Sequence, residues 1–173
     1  LDLHHNLLPI VSKRFIEPKL LFNNASEVRP NFFIPCDADL IIHSAVHLLQ
    51  DSVFHRTLRD LNDLYHLIAE YSNDYGDLSS LVKRAREFHL EKDLAKILSL
   101  LNITFRRPLS NAEFKFINDC LGKNLLWSLE RKCYVEMIKQ PLLSEWTAKH
   151  HLSSWILYIK SHFIKMPLTV LLK

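Results

Sequence analysis

The chain has 173 residues, 48% of them hydrophobic and 24% charged, with a net charge of +3, which is one domain, or one with a small appendage, able to bury about 70% of the surface its unfolded form exposes. Only 2 residues are glycine while 32 are leucine, a composition that predicts a mainly α protein and excludes P-loops and dinucleotide folds, since both need clustered glycines where backbone approaches phosphate. Three cysteines without CxxC spacing, Cys36, Cys120 and Cys133, argue against a disulfide framework or a cysteine-rich zinc site and for a reducing, cytoplasmic compartment, and no apolar run approaches the ~18 residues of a membrane span.

Leu1-Asp2-Leu3-His4 alternates apolar and polar residues and predicts a short strand. Residues 10–36, interrupted by Pro18, Pro30 and Pro35, read as a connector with at most short elements. After Pro35, Asp37 or Asp39 can cap a helix whose apolar positions Leu40, Ile41, Ala45, Leu48 and Leu49 carry it to about Asp51. Phe54, Leu58, Leu61, Leu64, Tyr65 and Ile68 mark a second helix ending in the turn residues Ser72-Asn73-Asp74-Tyr75-Gly76, so that the two form a hairpin. A third helix is expected through Leu78, Leu81, Val82, Ala85 and Phe88, and a fourth through Leu94, Ile97, Leu98 and Leu101, stopped by Pro108. Ser110 with Glu113 is a capping box for a fifth, to about Leu121; a sixth spans Leu125 to Ile138 and a seventh Ser144 to about Ile164. The expected architecture is a helical bundle of about seven helices, residues 36–173, behind a strand-containing segment, residues 1–35.

Charge is unevenly placed. Residues 37–77 carry 8 acids against 2 bases and residues 123–173 carry 8 bases against 3 acids, a density that solvated helix faces explain.

Asp39, His43, His47, Asp51 and His55 stand four residues apart. Each step of four turns a helix by about 400°, so neighbours share a face but all five cannot converge. His43 and His47 have the spacing of a two-histidine metal site, but Ser44 stands where an HExxH base should be. The plainer reading, a hydrogen-bonded helix interface with both rings facing the next helix near Asp60 and Asp63, is preferred.

Arg59-Asp60-Leu61-Asn62-Asp63-Leu64 places one cation and two carboxylates within a turn and a half. Paired carboxylates serve metal or proton transfer; a surface Arg paired with an acid is the simpler alternative. Arg59 with His66, and Arg84 with His89, match the loose Arg–His spacing of HEPN-type ribonucleases, a pattern cheap enough to occur twice. On the last helix His150, His151, Trp146 and Trp155 lie among Lys149, Lys160 and Lys165, a mixture able to bind single-stranded nucleic acid, though Trp155, Ile156, Ile159 and Phe163 also have the spacing of a core face, which is preferred. No nucleophile elbow is present, and no cysteine is singled out by its neighbours.

Taken in order, Leu1-Asp2-Leu3-His4, Asp39-Leu40-Ile41-Ile42-His43-Ser44-Ala45-Val46-His47 and Leu58-Arg59-Asp60-Leu61-Asn62-Asp63-Leu64 resemble the C-terminal part of a bacterial nucleotidyltransferase-like family of the polymerase-β superfamily. Arg59 to Leu64 is also similar to the (K/R)DxxDL motif of abortive-infection nucleotidyltransferases of toxin–antitoxin systems, and Met166-Pro167-Leu168 resembles a family ending. The resemblance implies that Asp2 is the third metal-binding carboxylate, that Asp60 and Asp63 face acceptor or nucleotide, and that His4 and Arg59 contact substrate. It implies Mg²⁺ and a nucleoside triphosphate as cofactors, and as acceptor a protein, an RNA or a small molecule. The family's Gly-Ser loop and Asp-x-Asp strand are not among these residues. Two-metal transfer needs carboxylates from both strands, so the expectation is the C-terminal portion of a nucleotidyltransferase-like protein, inactive alone, whose N-terminal strand belongs to the edge of the catalytic sheet. The alternatives are a helical interaction module and an Arg59/His66 ribonuclease.

Overall fold

In a computed structural model of the chain, residues 17–50, 56–139 and 146–165 are described. The predicted strand with Asp2 and His4, the Ser52-Val53 connection, Asp51, His55 and the segment with Met166 lie outside them.

The expected connector contains a short helix and a hairpin. Helix α1 (Pro18–Phe22) starts on a proline, whose fixed φ suits a first helical position. Strands β1 (Ser26–Arg29) and β2 (Phe32–Ile34) pair antiparallel, Ser26 opposite Ile34, with an irregularity between Glu27 and Arg29. Asn31 turns the hairpin at φ 64°, and its backbone N–H donates to the Glu27 carboxylate at 2.9 Å. Both strands are exposed along their whole length.

The seven predicted helices follow: α2 (Asp37–Gln50), α3 (Thr57–Tyr75), α4 (Ser79–Glu87), α5 (Glu91–Phe105), α6 (Asn111–Leu121), α7 (Leu125–Lys139) and α8 (Ala148–Lys165). Helix α5 is the centre: Leu94, Ala95, Ile97, Leu98, Leu100 and Leu101 are all buried, and α2, α3, α4, α6 and α7 pack around it. Lys92 and Lys96 stay on its less buried side, so Leu94, Ile97, Leu98 and Leu101 keep the spacing by which the helix was predicted. The Ser110 capping box is present in full. The Ser110 hydroxyl accepts from the Glu113 N–H at 3.2 Å, and the Glu113 carboxylate accepts from the Ser110 N–H at 2.7 Å and from Arg107 at 2.7 Å.

Two readings of the sequence are corrected. The residues Ser72 to Tyr75 are helical, and the chain turns only at Gly76, whose φ of 79° suits a residue without Cβ. Ser72 returns its hydroxyl to the Ile68 carbonyl, while Tyr71 and Tyr75 stack at 4.4 Å and Tyr75 donates to Asp37, and these contacts hold the last turn. The second correction concerns α8. Its buried stripe is His150, Ser153, Leu157 and Ser161; of the predicted core face Ile156 does pack half-buried against the core, whereas Trp155 is 65% and Phe163 46% exposed. Two of these polar residues find partners within the helix itself. Ser161 donates to the Tyr158 carbonyl at 2.8 Å, and His150 caps its own helix.

Candidate functional site

Helices α2 and α3 pack as the predicted hairpin. Leu61, Leu64 and Ile68, at i, i+3 and i+7, bury one stripe of α3 together with Ile41, Ala45 and Leu48 of α2. Polar residues next to those stripes are thereby brought to the seam, where His43, Ser44 and His47 of α2 and Arg59, Asp60 and Asp63 of α3 line one cleft of ≈ 320 Å³, with Arg56 at its end. His43 and His47 place their ring centroids 6.1 Å apart. The helix seam thus joins the two histidines with Asp60 and Asp63, as their spacing predicted.

The carboxylates are not equivalent. Arg59 donates from Nε at 3.1 Å and from Nη2 at 2.9 Å to the same Asp60 oxygen, whereas Asp63 is exposed. Among the described residues no three His, Cys, Asp or Glu side chains come together to hold a metal ion. The cleft residues therefore do not fit a Mg²⁺ site by themselves. What they can do is bind and orient: two guanidinium groups suit phosphate oxygens, and the imidazoles suit hydroxyl donors or proton exchange. Arg56 is the N-cap of α3 and contributes no side-chain cap, and the helix dipole adds a positive field there.

Asp39, the first of the four-spaced set, does not join this cleft. It forms a buried bidentate pair with Arg84, at 2.7 and 2.9 Å, and Arg84 also donates to Glu87 and to the Leu20 carbonyl. The Asp39 hydrogen bonds hold the guanidinium well above its ordinary pKa. Arg84 is thus bound into the core and does not pair with His89, which turns the chain at φ 56°. His66 is exposed beside Tyr65, with ring centroids 5.4 Å apart, and is not among the residues lining the Arg59 cleft.

Sequence reasoning missed a second polar cluster. Lys160 reaches inward from α8 to donate to Glu130, to the Leu49 carbonyl at 3.1 Å and to the Tyr134 hydroxyl at 3.2 Å, while Lys96 meets the other Glu130 oxygen at 2.8 Å. Leu49 is in the last turn of α2, where a cation complements the dipole. Burial pushes the Lys160 ammonium below the ordinary lysine value, and Glu130 opposes that shift. A lysine one helical turn after Ile156 was the available signal, but spacing alone does not tell an inward cation from a solvated one. Burial raises the pKa of Cys36, Cys120 and Cys133 alike, which disfavours the nucleophilic thiolate.

No curated protein and no solved structure matches the chain. No helix among the described residues is long and apolar enough to cross a membrane. A family model described as uncharacterised nucleotidyltransferase matches residues 1–106, the segment that holds both the Asp2 strand sequence and the whole α2–α3 cleft. The chain belongs to this uncharacterised nucleotidyltransferase family.

Proposed function

We propose that the chain takes part in transfer of a nucleotidyl group from a nucleoside triphosphate to an acceptor, and that the α2–α3 cleft is its nucleotide- or acceptor-facing surface. The observation carrying this reading is that residues from two motifs, His43 and His47 on one helix and Arg59, Asp60 and Asp63 on the next, line a single cleft inside the family-matched segment. Arg56 and Arg59 are the residues for phosphate oxygens. Asp60 orients Arg59 through their ion pair, and Asp63 is free to accept a hydrogen bond from an acceptor hydroxyl. His4 is proposed as a substrate contact. Asp2 is the carboxylate we assign to the metal. Family membership favours this reading over a ribonuclease built on Arg59 and His66, and His66 does not line the Arg59 cleft.

The test is label transfer from [α-³²P]nucleoside triphosphates in Mg²⁺, using the chain alone and the chain extended by its natural upstream sequence. The extended protein is expected to transfer label and to lose transfer on Asp2→Ala, with Arg59→Ala reducing it about 100-fold, the size of effect expected for a lost charge clamp. The chain alone is expected to transfer none. Robust transfer by the chain alone, or an extended protein indifferent to Asp2 and Arg59, contradicts the reading.

A further inference from the structure

The face of α8 left in solvent is apolar and continues into α7. Leu152 at 60% and Phe163 at 46% exposed share one side of the helix, Trp155 stands beside them at 65%, and Ile156, half-buried against the core, borders that side at the seam. Across the seam Leu126 is 78% and Leu129 49% exposed. Single exposed leucines mean little, but an apolar strip shared by two packed helices is the mark of an interaction surface. Leu126, Leu129 and Ile156 also form the walls of a cleft of ≈ 440 Å³ between α5, α6, α7 and α8. Lys92, Lys96 and Lys160 reach the same cleft, where the carboxylates Asp93 and Glu130 oppose them and leave one cation in excess.

Charge selects the occupant. Glu130 is already shared by Lys96 and Lys160, and Glu136 lies toward Lys139 and His150. Lys92 and Lys123, both exposed, make no ion pair among the described residues, and Lys123 adjoins the cleft residue Asn124. A second copy docked by the same face would set these cations against their own kind, which disfavours a symmetric dimer. A bilayer cannot fill a cleft sunk between helices. Single-stranded nucleic acid needs open aromatic faces to stack on, but the ring that lines the cleft, Trp127, is buried with Lys96 over it at 5.4 Å, and Asp93 and Glu130 there repel phosphate. A helix with an apolar stripe and acidic flanks meets each requirement: one large side chain enters the cleft as an anchor, and its carboxylates reach Lys92 and Lys123.

We infer that the α7–α8 face is a docking groove for an acidic amphipathic helix of a partner protein, anchored by an apolar side chain in the cleft between Leu126, Leu129 and Ile156. The groove is made largely by α6, α7 and α8, beyond the family-matched residues 1–106, so it equips this chain with a partner site separate from the α2–α3 cleft.

The probe is a fluorescein-labelled peptide about five turns long, leucines on one face and glutamates on the other, together with a twin carrying lysines in place of the glutamates. Fluorescence anisotropy should show the glutamate peptide binding, more weakly as salt rises, and the lysine twin not binding. Leu126→Glu, at an exposed position, should weaken binding at least about tenfold, the loss expected of an anchor contact, and Lys92→Glu should weaken it with a smaller salt dependence. Asp60→Ala, in the other cleft, should leave it unchanged. Equal binding of both peptides, indifference to Leu126→Glu, adhesion to phosphatidylserine vesicles in place of the peptide, or a dimer in solution that Leu126→Glu dissociates would each overturn the inference.

Discussion

The Asp39 carboxylate lies 2.7 and 2.9 Å from Nε and Nη2 of Arg84, 45 residues further along the chain, and both side chains are almost wholly buried. This pair, with the Arg84 bonds to Glu87 and the Leu20 carbonyl, ties α1, α2 and α4 together. It also removes Asp39 from the histidine cluster with which its spacing associated it.

Breaking the pair on one side leaves a buried charge without its partner, so Asp39→Ala is expected to cost about 3–5 kcal/mol. Asp39→Ala combined with Arg84→Met should cost much less than the two single changes together, because no uncompensated charge remains. Urea unfolding of the four proteins checks this; strict additivity would contradict the pairing.

Lys160 makes stability depend on alkaline pH in a defined direction. Its folded-state pKa is lowered from the 10.5 of an ordinary lysine, so between the two values the unfolded chain binds more protons than the folded one. Stability then rises with pH across that window as far as Lys160 is concerned. The unfolding free energy of the native chain minus that of Lys160→Met should therefore climb as pH approaches 10.5 and level off above it. A difference that falls over that range contradicts the inward placement of the ammonium.

His150 offers a test of the α8 terminus. The Thr147 N–H donates to its Nδ1 at 3.0 Å and the Thr147 hydroxyl lies 2.9 Å away, which is the reach-back half of a capping box with histidine in the glutamate position. Because Nδ1 accepts, the neutral ring carries its proton on Nε2, which sits 3.4 Å from Glu136. His150→Ala should lose about 1–2 kcal/mol of capping in addition to its packing, and His150→Gln, which keeps an acceptor there, should recover part of it. Thermal unfolding of the two variants decides: equal losses contradict the cap.

How far the sequence was legible follows from where each signal resides. Ser110 and Glu113 announce a helix start by local chemistry, and that start appears at the expected residues. The α2–α3 hairpin was readable because its apolar stripes are regular and its polar residues adjoin them. The Tyr71–Tyr75 stack and the Tyr75 bond to Asp37, 38 residues back, hold Ser72 to Tyr75 helical against their turn propensity; a long-range contact of this kind leaves no local trace. On α8 Leu152, Trp155 and Phe163 mark the solvent side, while His150, Ser153 and Ser161 join Leu157 on the buried side, a mixture that depends on partners supplied by α7 and by the helix itself. Of the residues assigned through the resemblance, Arg59, Asp60 and Asp63 stand in one cleft, while Asp2 and His4 lie outside the described residues.

The claim that the α2–α3 cleft meets the nucleotide or its acceptor is tested most directly by NMR titration of the ¹⁵N-labelled chain with a nucleoside triphosphate and Mg²⁺. Fast-exchange shifts are expected at the His43 and His47 rings and at the Arg56 and Arg59 side chains, saturating together and lost in Arg59→Ala, with the Lys92 and Leu126 region unmoved. Saturable shifts centred on that second cleft, with His43, His47 and Arg59 unmoved, would contradict the account.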